Sequence, residues 1–292
     1  ALARGLAASS YTTTGGTTDA RLFSIFRAAD GSLLGPFDPP FYGFLQHDDE
    51  ATQTEVAFLL RAIKASKGRF RFLCLGAAPG EWAVRAERAF KKTYPAGDYM
   101  SVSLEADIGR IGMMNDFSER NGLDLSKNAL IFGAIANRPG WAYFPVINSA
   151  TDWGAAIASV SDNGGIDLDN NIAMSEQAKA DRLGALNDGK PLRFRAVQAV
   201  ALGEIVRQLG RVDYIHCDIQ GTESDLFDGG AAAINERVKM CCICTHGTEI
   251  EAKLKILFSA DGWVLERAIP CKYTGAIMSA DGAFVWRNPR LS

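Results

Sequence analysis

Asp218, Glu223 and His246 are the side chains whose types and spacing best suit chemistry in this sequence. Asp218 lies in the stretch Val212-Asp213-Tyr214-Ile215-His216-Cys217-Asp218-Ile219-Gln220-Gly221-Thr222-Glu223. The run 212–217 reads as a strand that delivers Asp218 to its C-terminal end, where ligands bind in open α/β sheets. Gly221 permits a sharp turn, and Glu223 opens the next helix, where the dipole favours a carboxylate. His246 stands in Cys244-Thr245-His246-Gly247-Thr248-Glu249, at the end of the following strand-like run. A neutral histidine near pH 7 can take a proton from a hydroxyl, with Asp218 orienting it or contacting an acceptor. Each residue has a plainer alternative: His246 can simply hydrogen-bond the sheet rim, and Glu223 can serve only as a helix N-terminal charge.

A second stretch, Phe72-Leu73-Cys74-Leu75-Gly76-Ala77-Ala78-Pro79-Gly80-Glu81-Trp82, supplies a ligand cradle. A short apolar run ends in a loop of small residues from Gly76 to Gly80, and a helix-compatible segment follows. Such a loop lets backbone N–H groups approach a ligand closely. The next strand-like run ends in Glu105, and a carboxylate there can accept both hydroxyls of a ribose. Together these features point to a nucleoside-containing cofactor. The loop lacks the G-x-G-x-x-G pattern of a dinucleotide site and the Lys-Ser/Thr ending of a phosphate-binding loop. A Pro-Gly ending suits the amino-acid part of S-adenosylmethionine better. The cofactor-binding candidates are therefore Gly76, Ala77, Ala78, Gly80, Trp82, Glu105, Ala106, Ala134 and Asp218, with core packing the simpler role for Trp82.

These residues need a parallel sheet to position them. Strands are expected over 70–75, 99–104, 129–135, 212–217, 238–244, 263–269 and 283–288. Helices are expected over 49–66, 80–92, 107–121, 203–209, 222–236 and 249–260. The first is marked by Val56, Leu59, Leu60 and Ile63 at helical spacing. Alternating strands and helices imply parallel pairing. The last two strands are separated by a loop with Asp281-Gly282 and no room for a crossover helix, so the sheet should end in an antiparallel hairpin. The expected fold class is α/β: a Rossmann-like three-layer sandwich with a seven-stranded, mostly parallel sheet. Residues 1–68 read as an N-terminal extension and helix packing on the core, and residues 69–292 as the cofactor domain. Residues 137–192 break the alternation and include a helix-like stretch near 174–186. That insertion reads either as part of an acceptor pocket or as a decorated surface loop.

Composition sets outer bounds. The chain has 292 residues, 47% hydrophobic and 22% charged, which is ordinary globular composition. A net charge of −3 argues against a nucleic-acid substrate, which selects a basic face. No apolar run reaches the length of a membrane span, and the opening apolar stretch is too short and interrupted for a secretory signal. Neighbours on a strand point to opposite faces, so Cys241, Cys242 and Cys244 cannot jointly grip one ion, and the six cysteines read as small core residues. Free thiols in this number suit a reducing cytoplasm. His47-Asp48-Asp49-Glu50 reads as a solvated helix start in preference to a metal site. Oligomeric state stays open, a homo-oligomer included.

The chain resembles the FkbM-type family of S-adenosylmethionine-dependent methyltransferases over about residues 70–268. The carriers are the Leu-Gly-Ala-x-Pro-Gly-x-Trp loop, the strand ending in Glu105, the Asp-Ile-Gln-Gly-x-Glu run from Asp218 and the Thr-His-Gly segment. The resemblance implies methylation of hydroxyl groups on sugars, polyketides or related small molecules. Two departures stand out. Cys74 occupies a strand-end position where an acidic residue is common, and His216 replaces a lysine or apolar residue. His216 shares a strand face with Asp218 about 7 Å away. Some sugar O-methyltransferases use a divalent metal, and Asp218, Glu223 and Glu249 offer oxygen ligands for one. The loop is also similar to that of FtsJ-type RNA 2′-O-methyltransferases, which carry a Lys-Asp-Lys-Glu set and a basic face. No suitably placed lysine accompanies Asp218. A non-catalytic nucleoside-binding module is the alternative from another class.

Overall fold

A computed structural model describes residues 50–146, 193–274 and 277–291, together with short strand pieces at 12–13, 26–27, 33–34 and 160–161. The expected helix at 174–186 and the residues His47, Asp48 and Asp49 lie outside these. Glu50 is described, and its carboxylate pairs with Arg267.

The centre of the molecule is set by strands that are apolar on both faces. β1 (Arg69–Leu75) is buried at every position after the first, as a parallel strand covered on both sides must be. Beside it run β2 (Asp98–Glu105) and β3 (Asn128–Phe132). Two short strands, β4 (Ala134–Ala136) and β5 (Gly140–Val146), follow, then β6 (Val160–Ser161) and β7 (Arg193–Ala201). The later part of the chain gives β8 (Tyr214–Cys217), β9 (Met240–Thr245), β10 (Val264–Ile269), a small ribbon of β11 (Lys272–Thr274) with β12 (Ile277–Ala280), and β13 (Gly282–Arg287). The main sheet has the order β10-β13-β9-β8-β1-β2-β3. Its five strands from β9 to β3 pair in parallel, while β13 is antiparallel to both β9 and β10. This is the expected seven-stranded sheet with its antiparallel end, and the β11–β12 ribbon sits inside the final connection.

Six helices cover the sheet: α1 (Glu50–Ala65), α2 (Glu81–Thr93), α3 (Ile108–Arg120), α4 (Leu202–Leu209), α5 (Glu223–Arg237) and α6 (Thr248–Ala260). Each lies within one residue of its expected span at either end. Strand alternation sorts the core into two layers. Phe70, Phe72 and Cys74 face Leu59, Ile63, Trp82, Phe90 and Met114 from α1, α2 and α3. Leu73 and Leu75 face Leu202, Val206, Phe227, Ile234 and Leu254 from α4, α5 and α6. The result is a three-layer sandwich whose strand ends β1, β2, β8 and β9 open on one rim.

The run expected as a single strand over 129–135 is divided. Gly133 N–H donates to Glu105 O at 2.9 Å, the chain turns there, and Ala134–Ala136 enters a second sheet of order β4-β7-β5-β6. In that sheet β7 runs parallel to β4 and antiparallel to β5. The segment Arg193-Phe194-Arg195-Ala196 alternates polar and apolar residues, but it was not among the expected strands. The insertion is thus partly a sheet that continues from β3.

Candidate functional site

The glycine loop after β1 is forced by the strand next to it. Gly76 has φ +70°, and a Cβ there would stand 1.7 Å from the carbonyl oxygen of Asp218. No other residue fits without moving β8's end. Gly76 and Ala77 N–H both donate to Leu104 O, at 3.1 and 2.9 Å, and Asp218 N–H donates to Leu75 O at 2.8 Å. Three adjacent strand ends are therefore tied by backbone bonds. Gly80, at φ +100°, starts α2.

Glu105 is bound into the same arrangement. Its carboxylate accepts from Ala78 N–H at 3.0 Å and from Asp107 N–H at 2.8 Å. Each oxygen keeps a lone pair for a further donor. Burial pushes the Glu105 carboxyl above its usual range, and the two backbone N–H groups pull against that shift. Asp107 in turn caps α3 through Gly109 N–H at 2.8 Å.

These groups wall an open cleft of about 680 Å³, the solvent at its mouth included. Of the candidates from sequence, Gly76, Ala78, Glu105, Ala106, Ala134 and Asp218 line it. Ala77 is buried, and Trp82 stacks on His216 at 4.3 Å between ring centroids. Ala77 in the loop and Trp82 in α2 both join the core cluster beside β1, and Gly80 shapes the turn into α2. Residues that the sequence reading did not single out also line the cleft: Arg110, Phe144, Gln220 and Thr222. Phe144 comes from β5 of the second sheet. Gln220 holds φ +64° and donates from Nε2 to Asp218 Oδ1 at 2.8 Å. A non-glycine residue held at positive φ often marks a functional turn.

Asp218, Glu223 and His246 come together at the rim. His246 Nδ1 is 2.7 Å from Glu223 Oε1, and Nε2 is 3.2 Å from Asp218 Oδ1. Asp281, in the turn before β13, adds a third carboxylate at 3.7 Å from Nε2. Burial disfavours the charged imidazole, but the carboxylates of Asp218 and Glu223 outweigh it and lift the His246 pKa well above its usual value. Asp218 is pushed up by burial and pulled down further by His246, for a net lowering. Asp281 is raised by burial, with His246 pulling it down and the neighbouring carboxylates pushing it up. The carboxylates around His246 thus favour its protonated form over the neutral one. Its side chain is 4% exposed, against 34% for Asp218 and 49% for Asp281. The open side of the cluster is carboxylate.

Glu249 does not join this set. Its side chain is 82% exposed and pairs with Lys253 at 3.2 Å. The oxygen set of Asp218, Glu223 and Glu249 is not assembled, and the His246 ring lies between the first two. His216 sits one layer below the rim at 1% exposure, facing Cys74 Sγ across 3.9 Å.

No family model matches the chain. A curated relative, named "Putative methyltransferase", from Jannaschia sp. (strain CCS1), is 26% identical over 242 residues, covering 81% of this chain and 79% of its own length. Among solved structures, the methyltransferase FkbM of Methylobacillus flagellatus KT aligns with a TM-score of 0.43 and 12% identity over 74% of this chain. The chain spans 44% of that FkbM chain. The precorrin-6y C5,15-methyltransferase of Geobacter metallireducens GS-15 aligns with a TM-score of 0.42 and 11% identity, covering 80% of this chain and 87% of its own. No helix among the described residues is long and apolar enough to cross a membrane. The chain has a Rossmann-like α/β architecture, and the FkbM-type resemblance of its motifs stands beside a curated relative that carries the methyltransferase name.

Proposed function

We propose that this protein uses S-adenosylmethionine to methylate a hydroxyl group on a sugar or another small natural-product acceptor. The observation that carries this reading is the cleft in which Glu105, the Gly76–Gly80 loop and Asp218 meet. The residues fit the cofactor's chemistry. Glu105 has lone pairs left for the two ribose hydroxyls, Phe144 and Ile135 offer apolar surface for a base, and the loop offers close backbone approach. When bound, S-adenosylmethionine supplies an activated methyl group.

The protein's own contribution is alignment and proton handling. Asp218 forms part of the cleft wall and the His246 cluster alike, so it couples the two. Glu223 fixes the imidazole through Nδ1. Asp218 and Asp281 are the exposed carboxylates that can meet an acceptor hydroxyl, and His246 behind them holds a proton between carboxylates. The rim has three carboxylates and one imidazole, which repels phosphate and favours a small neutral or cationic acceptor over RNA. All six cysteines are free thiols, in keeping with a reducing cytoplasm.

The test is calorimetric binding of S-adenosylhomocysteine to the wild type and to Glu105→Ala. Tight binding by the first and severe weakening in the second support the reading and justify screening sugars and hydroxylated natural products. No binding by the folded wild type overturns it.

A further inference from the structure

The most unusual part of the core lies below the rim, on the face covered by α1 and α2. Glu55 from α1, His216 from β8 and Cys244 from β9 converge there, all buried. Their candidate donor atoms, a carboxylate oxygen, an imidazole nitrogen and a thiol sulfur, all lie within 4.8 Å of one another. His216 Nε2 is 2.6 Å from Glu55 Oε2 and 4.0 Å from Cys244 Sγ. The same nitrogen therefore faces both other donors. On the opposite edge of the ring, Nδ1 faces Cys74 Sγ at 3.9 Å, and Trp82 stacks on the ring face.

We propose that Glu55, His216 and Cys244 bind a single divalent ion of zinc type. Nitrogen, oxygen and sulfur in one set match the donors that zinc accepts, and three protein ligands leave a fourth position for a water. A tetrahedral ion with these bond lengths needs its ligand atoms about 3.3–3.7 Å apart. The carboxylate must therefore retreat from the imidazole by roughly 0.7 Å, and the sulfur must approach by roughly 0.4 Å. Without the ion, the imidazole and carboxylate close on each other as a hydrogen bond.

Charge supports the same conclusion. A thiolate and a carboxylate neutralise a doubly charged cation, so the filled site has no net charge in a low-dielectric layer. With an ion on Nε2 the ring proton would sit on Nδ1, where Cys74 Sγ at 3.9 Å gives that nitrogen a partner outside the ligand set. Strand alternation still prevents Cys241, Cys242 and Cys244 from sharing an ion. Cys244 reaches this one because it lies on the His216 side of the sheet. The inference stands apart from the methyltransferase reading and does not depend on it.

The full chain, produced with zinc and passed over a weak chelator, is analysed for metal and then loaded with cobalt. The expected result is about one ion per chain and a sulfur-to-cobalt charge-transfer band. That band disappears in Cys244→Ser and persists in Cys74→Ser. A folded wild type that holds neither zinc nor cobalt overturns the proposal, as does a band that survives Cys244→Ser. If Cys244→Ser does not fold, X-ray absorption at the zinc edge of the wild type decides. One sulfur among nitrogen and oxygen neighbours supports the site, and any other sulfur count overturns it.

Discussion

Two histidines one strand apart have opposite surroundings. His216, in the middle of the sheet layer, has one carboxylate, two thiols and an indole around it, and its partner Glu55 is itself 8% exposed. His246, at the strand end, has three carboxylates around it, of which two are open to solvent. Both rings are almost fully covered, so burial alone does not distinguish them. The difference lies in what their partners can reach. Changes at Glu55 are felt by the packing of α1 on β8 and β9. Changes at Asp218 are felt in the cleft, because Asp218 lines it. The inner cluster should therefore govern stability, and the outer cluster should govern ligand binding and pH response.

The sharpest way to break that division is His216→Ala. It leaves the Glu55 carboxylate buried without its partner, a situation that costs about 3–5 kcal/mol. Urea denaturation of the metal-free protein should show that loss, and Glu55→Leu combined with His216→Leu should recover most of it. A loss below about 1 kcal/mol would place the pair among weak surface-like interactions and dissolve the contrast.

Glu105→Ala tests the other half. Removing a carboxylate that would hold a ribose hydroxyl costs about 2 kcal/mol of binding, or roughly 30-fold in the Kd for S-adenosylhomocysteine. Calorimetry reads this directly. The melting temperature of the unliganded protein should change much less than it does in His216→Ala. A variant that melts early but binds normally would mean that Glu105 only anchors Ala78 and Asp107.

The third prediction concerns pH. His246 has a native pKa well above its unfolded value of about 6.5. Its imidazolium therefore contributes stability that is fully present below that unfolded value and is lost as pH rises through the native pKa. The groups facing it are Asp218 at the end of β8, Glu223 on α5 and Asp281 before β13, with Glu55 on α1 also near Asp281. Chemical denaturation of the wild type and His246→Gln should show a stability gap that narrows as pH rises above the ordinary histidine range. A gap independent of pH would mean that the ring is neutral throughout.

Much of the fold was legible because its signals are local. Apolar runs such as Phe70–Leu75 are followed by glycine turns and then amphipathic helices, and neighbouring elements in such an order pair in parallel. Asp218, Glu223 and His246 were legible because strand ends share one rim. Asp281 read only as a hairpin turn, since its proximity to His246 depends on β13 lying beside β9. Glu55 was not singled out, since an acid on an amphipathic helix carries no signal of its own for burial. It stands four residues before Leu59, on the buried stripe, and that register was the available clue. Phe144 was hidden by a change of sheet. Nothing in the run 129–135 marks Gly133 as the place where the chain leaves the main sheet, because the decisive contacts come from Gln198 and Glu105.

The smallest expected effect falls on Phe144 and examines whether the second sheet belongs to the ligand site. Phe144 packs in a small cluster with Ala134, Ala136, Ala142, Val197 and Ala199, and its other face meets the cleft. Truncation to alanine would damage that cluster, so Phe144→Leu is the better probe. It keeps apolar volume and removes the flat ring that a base could stack on. An aromatic contact of this kind contributes about 1 kcal/mol beyond its buried area, so S-adenosylhomocysteine should bind roughly five-fold more weakly. The thermal midpoint of the free protein should hardly move. Adenosine alone should lose the same factor, because the missing contact is to the base and not to the amino-acid end. Unchanged affinity for both ligands would restrict the cofactor wall to the main sheet and its loops, and would leave β5 as scaffold for the residues that follow it.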